Sequence, residues 1–161
     1  MSEKAIQELL STAIEQLQSG EKGKLIKTAS KMLSLDANNC DANHLLGLAN
    51  LNSNNYDSAV SYFLKALQGQ PKNADIYNNL GNAYQELASP ELALEAYQKA
   101  LTLDQDFSEA HLNIALPLID LGRPMEAVEA CNRAISLKES PDAYNNLGQS
   151  KEALGDRKSV V

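Results

Sequence analysis

Apolar and polar residues alternate along this chain with a helical rhythm, and residues 73–103 show it most clearly. Over residues 74–87, Tyr77, Leu80, Gly81 and Tyr84 recur at spacings of three and four, which places them on one face of a helix. Over residues 90–103, Leu92, Ala93, Ala96, Tyr97, Ala100 and Leu101 do the same. Only Ala88 and Ser89 separate the two patterns, so a tight reversal and a pair of antiparallel helices are expected. Ser89 suits the N-cap of the second helix, and Pro90 suits its first position, where a missing N–H costs nothing. Gly81 falls in mid-helix, at a cost of about 1 kcal/mol against alanine, so a neighbour must need the space. The expected neighbour is the partner helix at its small residues Ala93 and Ala100.

The unit repeats. Gly47, Gly81 and Ala115 are 34 apart, and Gly148 follows after 33. Leu46, Leu80, Ile114 and Leu147 keep step, as do Ala59, Ala93 and Ala127; Ala66, Ala100 and Ala134; and Phe63, Tyr97 and Cys131. A two-helix unit at a fixed period of this length marks a helical solenoid, in which each repeat buries its face on the next and no central core is needed. The chain resembles the tetratricopeptide repeat (TPR) family at these residues: Tyr77, Leu80-Gly81 and Tyr84 match its first helix, and Ala59, Phe63, Ala66 and Pro71 match its second helix and closing turn. The resemblance implies an all-α, right-handed α-solenoid of antiparallel helix pairs, a TPR superhelix. Its first helices line a concave groove that binds other proteins.

The expected divisions are a degenerate first repeat at 1–39, repeats at 40–73, 74–107 and 108–140, a half repeat at 141–155 and a disordered tail at 156–161. In the first repeat, Leu25 and Ala29 replace the family's small residue and aromatic, as suits a terminal unit with one face in water. Its Lys24, Lys27 and Lys31 share a stripe that reads as a solvated face. Asn39 and Ser140 are expected caps. Pro117, inside the first helix of repeat four, removes the hydrogen bond to the Asn113 carbonyl, so a kink or widened turn is expected between Asn113 and Asp120.

Charge narrows the partners. The net charge is −7, and it is uneven: residues 1–35 carry five lysines against four glutamates, so the remainder is the acidic part. Such a surface disfavours nucleic acid and anionic membranes and accepts neutral or basic partners. The two cysteines, Cys40 and Cys131, have no zinc or redox spacing, and Cys131 stands in an aromatic's place as a small hydrophobe. No apolar run long enough for a signal peptide or a membrane span opens the chain, so a cytoplasmic location is expected.

Catalytic chemistry is not expected. There is no nucleophile beside a base, no phosphate-binding glycine loop and no dinucleotide fingerprint, and neither a cofactor nor a metal is called for. His111 holds the place of Tyr77 and Tyr144 and reads as a packing residue, while His44 falls on the inner groove. Asp41, Asp75, Glu109 and Asp142 recur in first helical turns, where the helix dipole accounts for them. Asparagine behaves differently. Asn79, Asn113 and Asn146 recur one residue before the packed Leu80, Ile114 and Leu147, at a helix position where asparagine is a mediocre choice. The family resemblance puts this row in the groove, where such asparagines bond the main chain of an extended peptide. Asn78, Asn82, Gln85, Glu86, Asn145 and Gln149 are the expected neighbours that supply selectivity. The expected function is therefore a protein–protein interaction scaffold, with possible self-association through the half repeat. The alternative is the recognition arm of a larger glycosyl-, sulfo- or methyltransferase whose catalytic part lies elsewhere.

Overall fold

The structure is a computed structural model that describes residues 2–158. Ten helices and no strand are present among the described residues: α1 (Ser2–Gln18), α2 (Lys22–Leu35), α3 (Cys40–Leu51), α4 (Tyr56–Gly69), α5 (Ala74–Glu86), α6 (Pro90–Leu103), α7 (Ser108–Asn113), α8 (Ala115–Asp120), α9 (Pro124–Leu137) and α10 (Pro141–Lys158). The helices pack as α1/α2, α3/α4, α5/α6 and α7–α8/α9, with α10 closing the stack. Each second helix touches its own first helix and the next one along. The first helices α1, α3, α5, α7 and α10 also touch one another in succession. That closer row of first helices is the inner wall of the solenoid, and α2, α4, α6 and α9 form the outer wall. The core is correspondingly distributed along the stack in three clusters, around Leu25 and Leu46, Phe63 and Leu80, and Tyr97 and Ile114.

Side-chain caps form at three helix starts. Asn39 Oδ1 accepts from the Ala42 amide at 2.9 Å, Asn73 Oδ1 from Ile76 at 3.2 Å and Ser140 Oγ from Ala143 at 3.2 Å. Ser89 departs from expectation. It holds the N-cap position of α6, but its hydroxyl donates back to the Leu87 carbonyl at 3.3 Å and caps nothing. The turn inside each helix pair uses one left-handed residue, and these too are 34 apart: Gly20, Asn54, Ala88 and Gly122, with φ of 72°, 61°, 52° and 71°. Glycine and asparagine adopt this conformation readily, whereas Ala88 bears a steric cost of about 1–2 kcal/mol.

The repeat-four first helix does break, but upstream of its proline. α7 ends at Asn113 and α8 starts at Ala115, with Ile114 as the joint. Pro117 is itself buried and supplies no N–H to the Asn113 carbonyl, so the ladder cannot run through this turn. At the other end, α10 continues to Lys158. The expectation of a disordered tail from 156 therefore fails for 156–158, which are helical, while 159–161 lie outside the described residues.

The space at Gly81 has a different owner from the one expected. Neither Ala93 nor Ala100 fills it; the ring of Tyr97 lies flat against the glycine, so that a Cβ built there would meet Tyr97 Cε1 at 2.5 Å. Gly47 and Phe63 repeat the contact, again with 2.5 Å to the ring. Repeat four keeps the register with a smaller pair, Ala115 and the buried Cys131. Around Gly148 nothing lies within 4 Å, since α10 has no second helix over it. Gly81→Ala should therefore lower stability by about 1–3 kcal/mol through overpacking, despite alanine's better helix propensity. Gly148→Ala, with the same propensity gain and no clash, should raise it by up to about 1 kcal/mol. Urea denaturation of the two variants beside the parent checks both signs.

Candidate functional site

The asparagine row lies on the inner wall, and the structure shows what half of each amide does. Asn79 Nδ2 meets His44 Nε2 at 3.2 Å. Asn113 Nδ2 donates to Asn78 Oδ1 at 3.2 Å and to Asn82 Oδ1 at 3.1 Å. Asn146 Nδ2 donates to the Leu112 carbonyl at 3.2 Å. Each asparagine thus bonds the first helix of the preceding repeat, and its partners are themselves in register: His44, Asn78 and Leu112 are 34 apart. Where the partner has a side-chain acceptor, the amide takes it. Leucine has none, so Asn146 takes the Leu112 backbone carbonyl, in the last turn of α7.

The donor side of each asparagine in the expected row is thus engaged within the protein. The expectation for Asn78 is corrected: it is 7 % exposed and acts within the stitch, so it does not face the groove as an open contact. Asn82 is half-buried and accepts a second bond from the Tyr97 hydroxyl at 2.7 Å. Gln85 Nε2 donates to Asp120 Oδ2 at 3.1 Å, while its Oε1 is buried with no partner. Asn145 and Gln149 are exposed on α10. The structure therefore brings Asn78, Asn82 and Asn113 together, joins Asn79 to His44, and leaves Asn145 and Gln149 outside these contacts. Sequence reasoning missed the stitching roles of His44, the Tyr97 hydroxyl and the Leu112 carbonyl. The register of positions 44, 78 and 112 was the available signal.

Electrostatics agree with a packed inner wall. Burial pushes the His44 pKa below its usual value, against the opposing pull of Asp75 and Asp41. Its ring also stands edge-on to Phe63, with centroids 6.0 Å apart. Burial raises the Tyr97 phenol, helped by the charge of Glu86, so the phenol stays a hydrogen-bond donor. The Cys131 thiol is likewise raised by burial and lies 3.7 Å from Ser150 Oγ. Among the described residues no cluster of three or more His, Cys, Asp or Glu is placed to hold a metal ion. No helix among them is long and apolar enough to cross a membrane.

A solenoid of helix pairs with a hydrogen-bonding inner wall is a protein-interaction scaffold. Comparison with known families gives the class its name. Tetratricopeptide repeat profiles match residues 74–107 and 108–141, and a further TPR repeat profile matches residues 51–87. The chain belongs to the tetratricopeptide repeat family. Among curated proteins no match is found. Similar solved structures include the MamA protein, at 23 % identity over 96 % of this chain and 85 % of that one, with a TM-score of 0.81. They also include YrrB, a TPR protein with an unusual peptide-binding site, at 25 % identity over 98 % of this chain and 85 % of that one, TM-score 0.79. The Thermobaculum terrenum O-GlcNAc transferase matches at 26 % identity and TM-score 0.80 over 84 % of this chain, which spans 26 % of the transferase chain.

The His44–Asn79 contact needs a neutral imidazole, because Nε2 must accept from the amide. A histidine whose folded pKa lies below its unfolded value takes up its proton more readily when the chain unfolds. Stability is then unaffected at high pH and falls as pH drops through the unfolded value of about 6.5. His44→Asn copies the residue that Asn78 supplies one repeat on and carries no titrating group. Thermal melts at pH 7.5 and pH 5 should show a smaller acid-induced loss for this variant than for the parent.

Proposed function

We propose that the inner wall binds an extended peptide of a partner protein in the cytoplasm, across repeats three to five. The observation that carries this reading is the stitched asparagine row. With the amide nitrogen of each bonded to the preceding repeat, the amide oxygens of Asn79, Asn113 and Asn146 are the row's acceptors at one-repeat intervals. A peptide main chain presents N–H donors whatever its side chains, so recognition is broad in sequence. Asn82, Gln85, Asn145 and Gln149 supply selectivity around the row, and the unpartnered Gln85 Oε1 is a further acceptor. Acidic residues dominate beyond residue 35, which favours a neutral or basic peptide and disfavours nucleic acid and anionic membrane. The same reading includes self-association at α10, where Tyr144 is 51 % exposed and Gly148 is bare.

Pull-down with mass spectrometry identifies a partner, and calorimetric titration of its peptide tests the row. Asn79→Ala, Asn113→Ala and Asn146→Ala together should weaken binding at least tenfold. Because each substitution also removes an inter-repeat hydrogen bond, the triple variant should lose about 0.5–1.5 kcal/mol of stability per bond. Titration is therefore run well below the variant's melting point, with helix content checked by circular dichroism. Parent-like affinity in a folded triple variant would overturn the reading.

A second reading is that the chain is the recognition arm of a larger transferase, and the likeness to the O-GlcNAc transferase favours it. Sequencing the transcript beyond Val161 decides this: a catalytic continuation supports the arm, and a stop codon supports a free-standing scaffold.

A further inference from the structure

On the outer wall a slot opens between α4 and α6, with α5 as its floor and a volume of about 380 Å³. Leu80 and Ala96 are buried beneath it, Tyr77 and Tyr84 are half-buried along it, and Leu64 and Leu92 stand on its rims at 45 % and 46 % exposure. The same slot recurs one repeat on, between α6 and α9, with its lining positions shifted by 34. There the rim residues are Gln98 and Glu126, and Glu126 is tied to Arg123 at 2.7 Å. One repeat back, the rim positions hold Ser30 and Ser58. Repeat packing is satisfied with polar rims in both neighbours, so the two leucines are not required by the fold.

Charge distinguishes this slot as well. Arg133 stands where Lys99 stands, 34 residues on, and pairs with Asp106 at 2.6 Å. The position equivalent to Asp106 beside Lys99 is Lys72, so the chain supplies no carboxylate there. Glu95 and Lys99 are four apart on α6, a spacing at which such side chains commonly pair. Yet neither has an ion-pair partner among the described residues. Glu95 lies toward the Tyr84 end, where its charge adds to burial in raising the phenol's pKa. Because α5 runs antiparallel to α6, Lys99 lies one turn on toward Tyr77. The slot is thus an apolar trough with an open negative charge toward one end and an open positive charge toward the other.

The walls also select the form of what binds. They are helices whose backbone groups are already bonded, and the lining offers an incoming main chain chiefly apolar side chains, with Gln68, Glu95 and Lys99 too few to match the successive N–H and C=O groups of an extended strand. An extended segment would leave its own N–H and C=O groups unmatched there, whereas a helix satisfies them internally. We propose that this slot docks one amphipathic helix of a partner protein, with apolar residues at helical spacing in the trough, a Lys or Arg beside Glu95 and an Asp or Glu beside Lys99. This surface is separate from the inner wall and does not depend on the asparagine row.

A phage-displayed library of random 16-residue peptides, selected on the full chain, supplies the probe. Enriched sequences are synthesised and titrated by fluorescence anisotropy against the parent, L64Q/L92E, E95K/K99E and N79A/N113A/N146A. The first variant installs the rim that the next repeat already carries, so the fold accommodates it, and melting curves confirm that each variant is folded. The expected result is a class of peptides with apolar residues at i, i+3 or i+4, and i+7, whose affinity falls at least tenfold on L64Q/L92E and is unchanged on N79A/N113A/N146A. On E95K/K99E the same peptides should weaken, and versions with their flanking charges exchanged should recover. The proposal is overturned if no such class is enriched, or if its members bind L64Q/L92E as tightly as the parent.

Discussion

The contact on which the rest depends is an aromatic ring laid on a glycine. Phe63 on Gly47 and Tyr97 on Gly81 set how closely the two helices of a repeat approach, because the ring occupies the volume that a Cβ would take. At Tyr97 the consequence reaches the inner wall. The ring lies in the seam, and its hydroxyl reaches Asn82 Oδ1 at 2.7 Å; that oxygen also accepts from Asn113 in the following repeat. One side chain therefore links the packing inside repeat three to the stitch between repeats three and four. Phe63 has no hydroxyl, and at that junction His44 takes over, edge-on to the ring and bonded to Asn79.

Much of this was legible in the residues because a repeat shows the same solution several times. The helix pairs, the capping roles of Asn39 and Ser140, and the need for a small residue at position 81 all follow from spacing and local chemistry. What stayed hidden was partnership across the period. The family resemblance places Asn79, Asn113 and Asn146 on the inner wall, but it cannot say that each amide nitrogen turns back to the preceding repeat, since that depends on the rise and twist between units. Gly81 illustrates the same limit: small residues on the facing helix suggested a backbone-to-backbone approach, while the structure uses a ring sixteen residues on. Ser89 failed for a local reason, because its hydroxyl has a competing acceptor in the Leu87 carbonyl.

Repeat four shows how one residue propagates through such a stack. Pro117 supplies no N–H to the Asn113 carbonyl, and the helix is interrupted at Ile114, whose own N–H turns back to the Ala110 and Leu112 carbonyls. Leu112 cannot offer a side-chain acceptor as His44 and Asn78 do, and Asn146 bonds its backbone carbonyl at 3.2 Å instead. The stitch survives the loss of a polar side chain because a main-chain oxygen stands in its place.

The same architecture explains why the two walls can diverge. In a solenoid each unit answers chiefly to its neighbours, so stability is a sum of local terms and a substitution on one wall leaves the other in place. The inner wall is constrained, since its amides and imidazole form bonds that cross repeats. The outer rims meet no such demand, and they range from Ser30 and Ser58 through Leu64 and Leu92 to Gln98 and Glu126 within one chain. Variation where packing is indifferent is where selection for a partner can act without cost to the fold. Two exposed leucines that the neighbouring repeats do without, beside a lysine whose counter-ion has been replaced by Lys72, are therefore better accounted for by an external partner than by the stability of the stack.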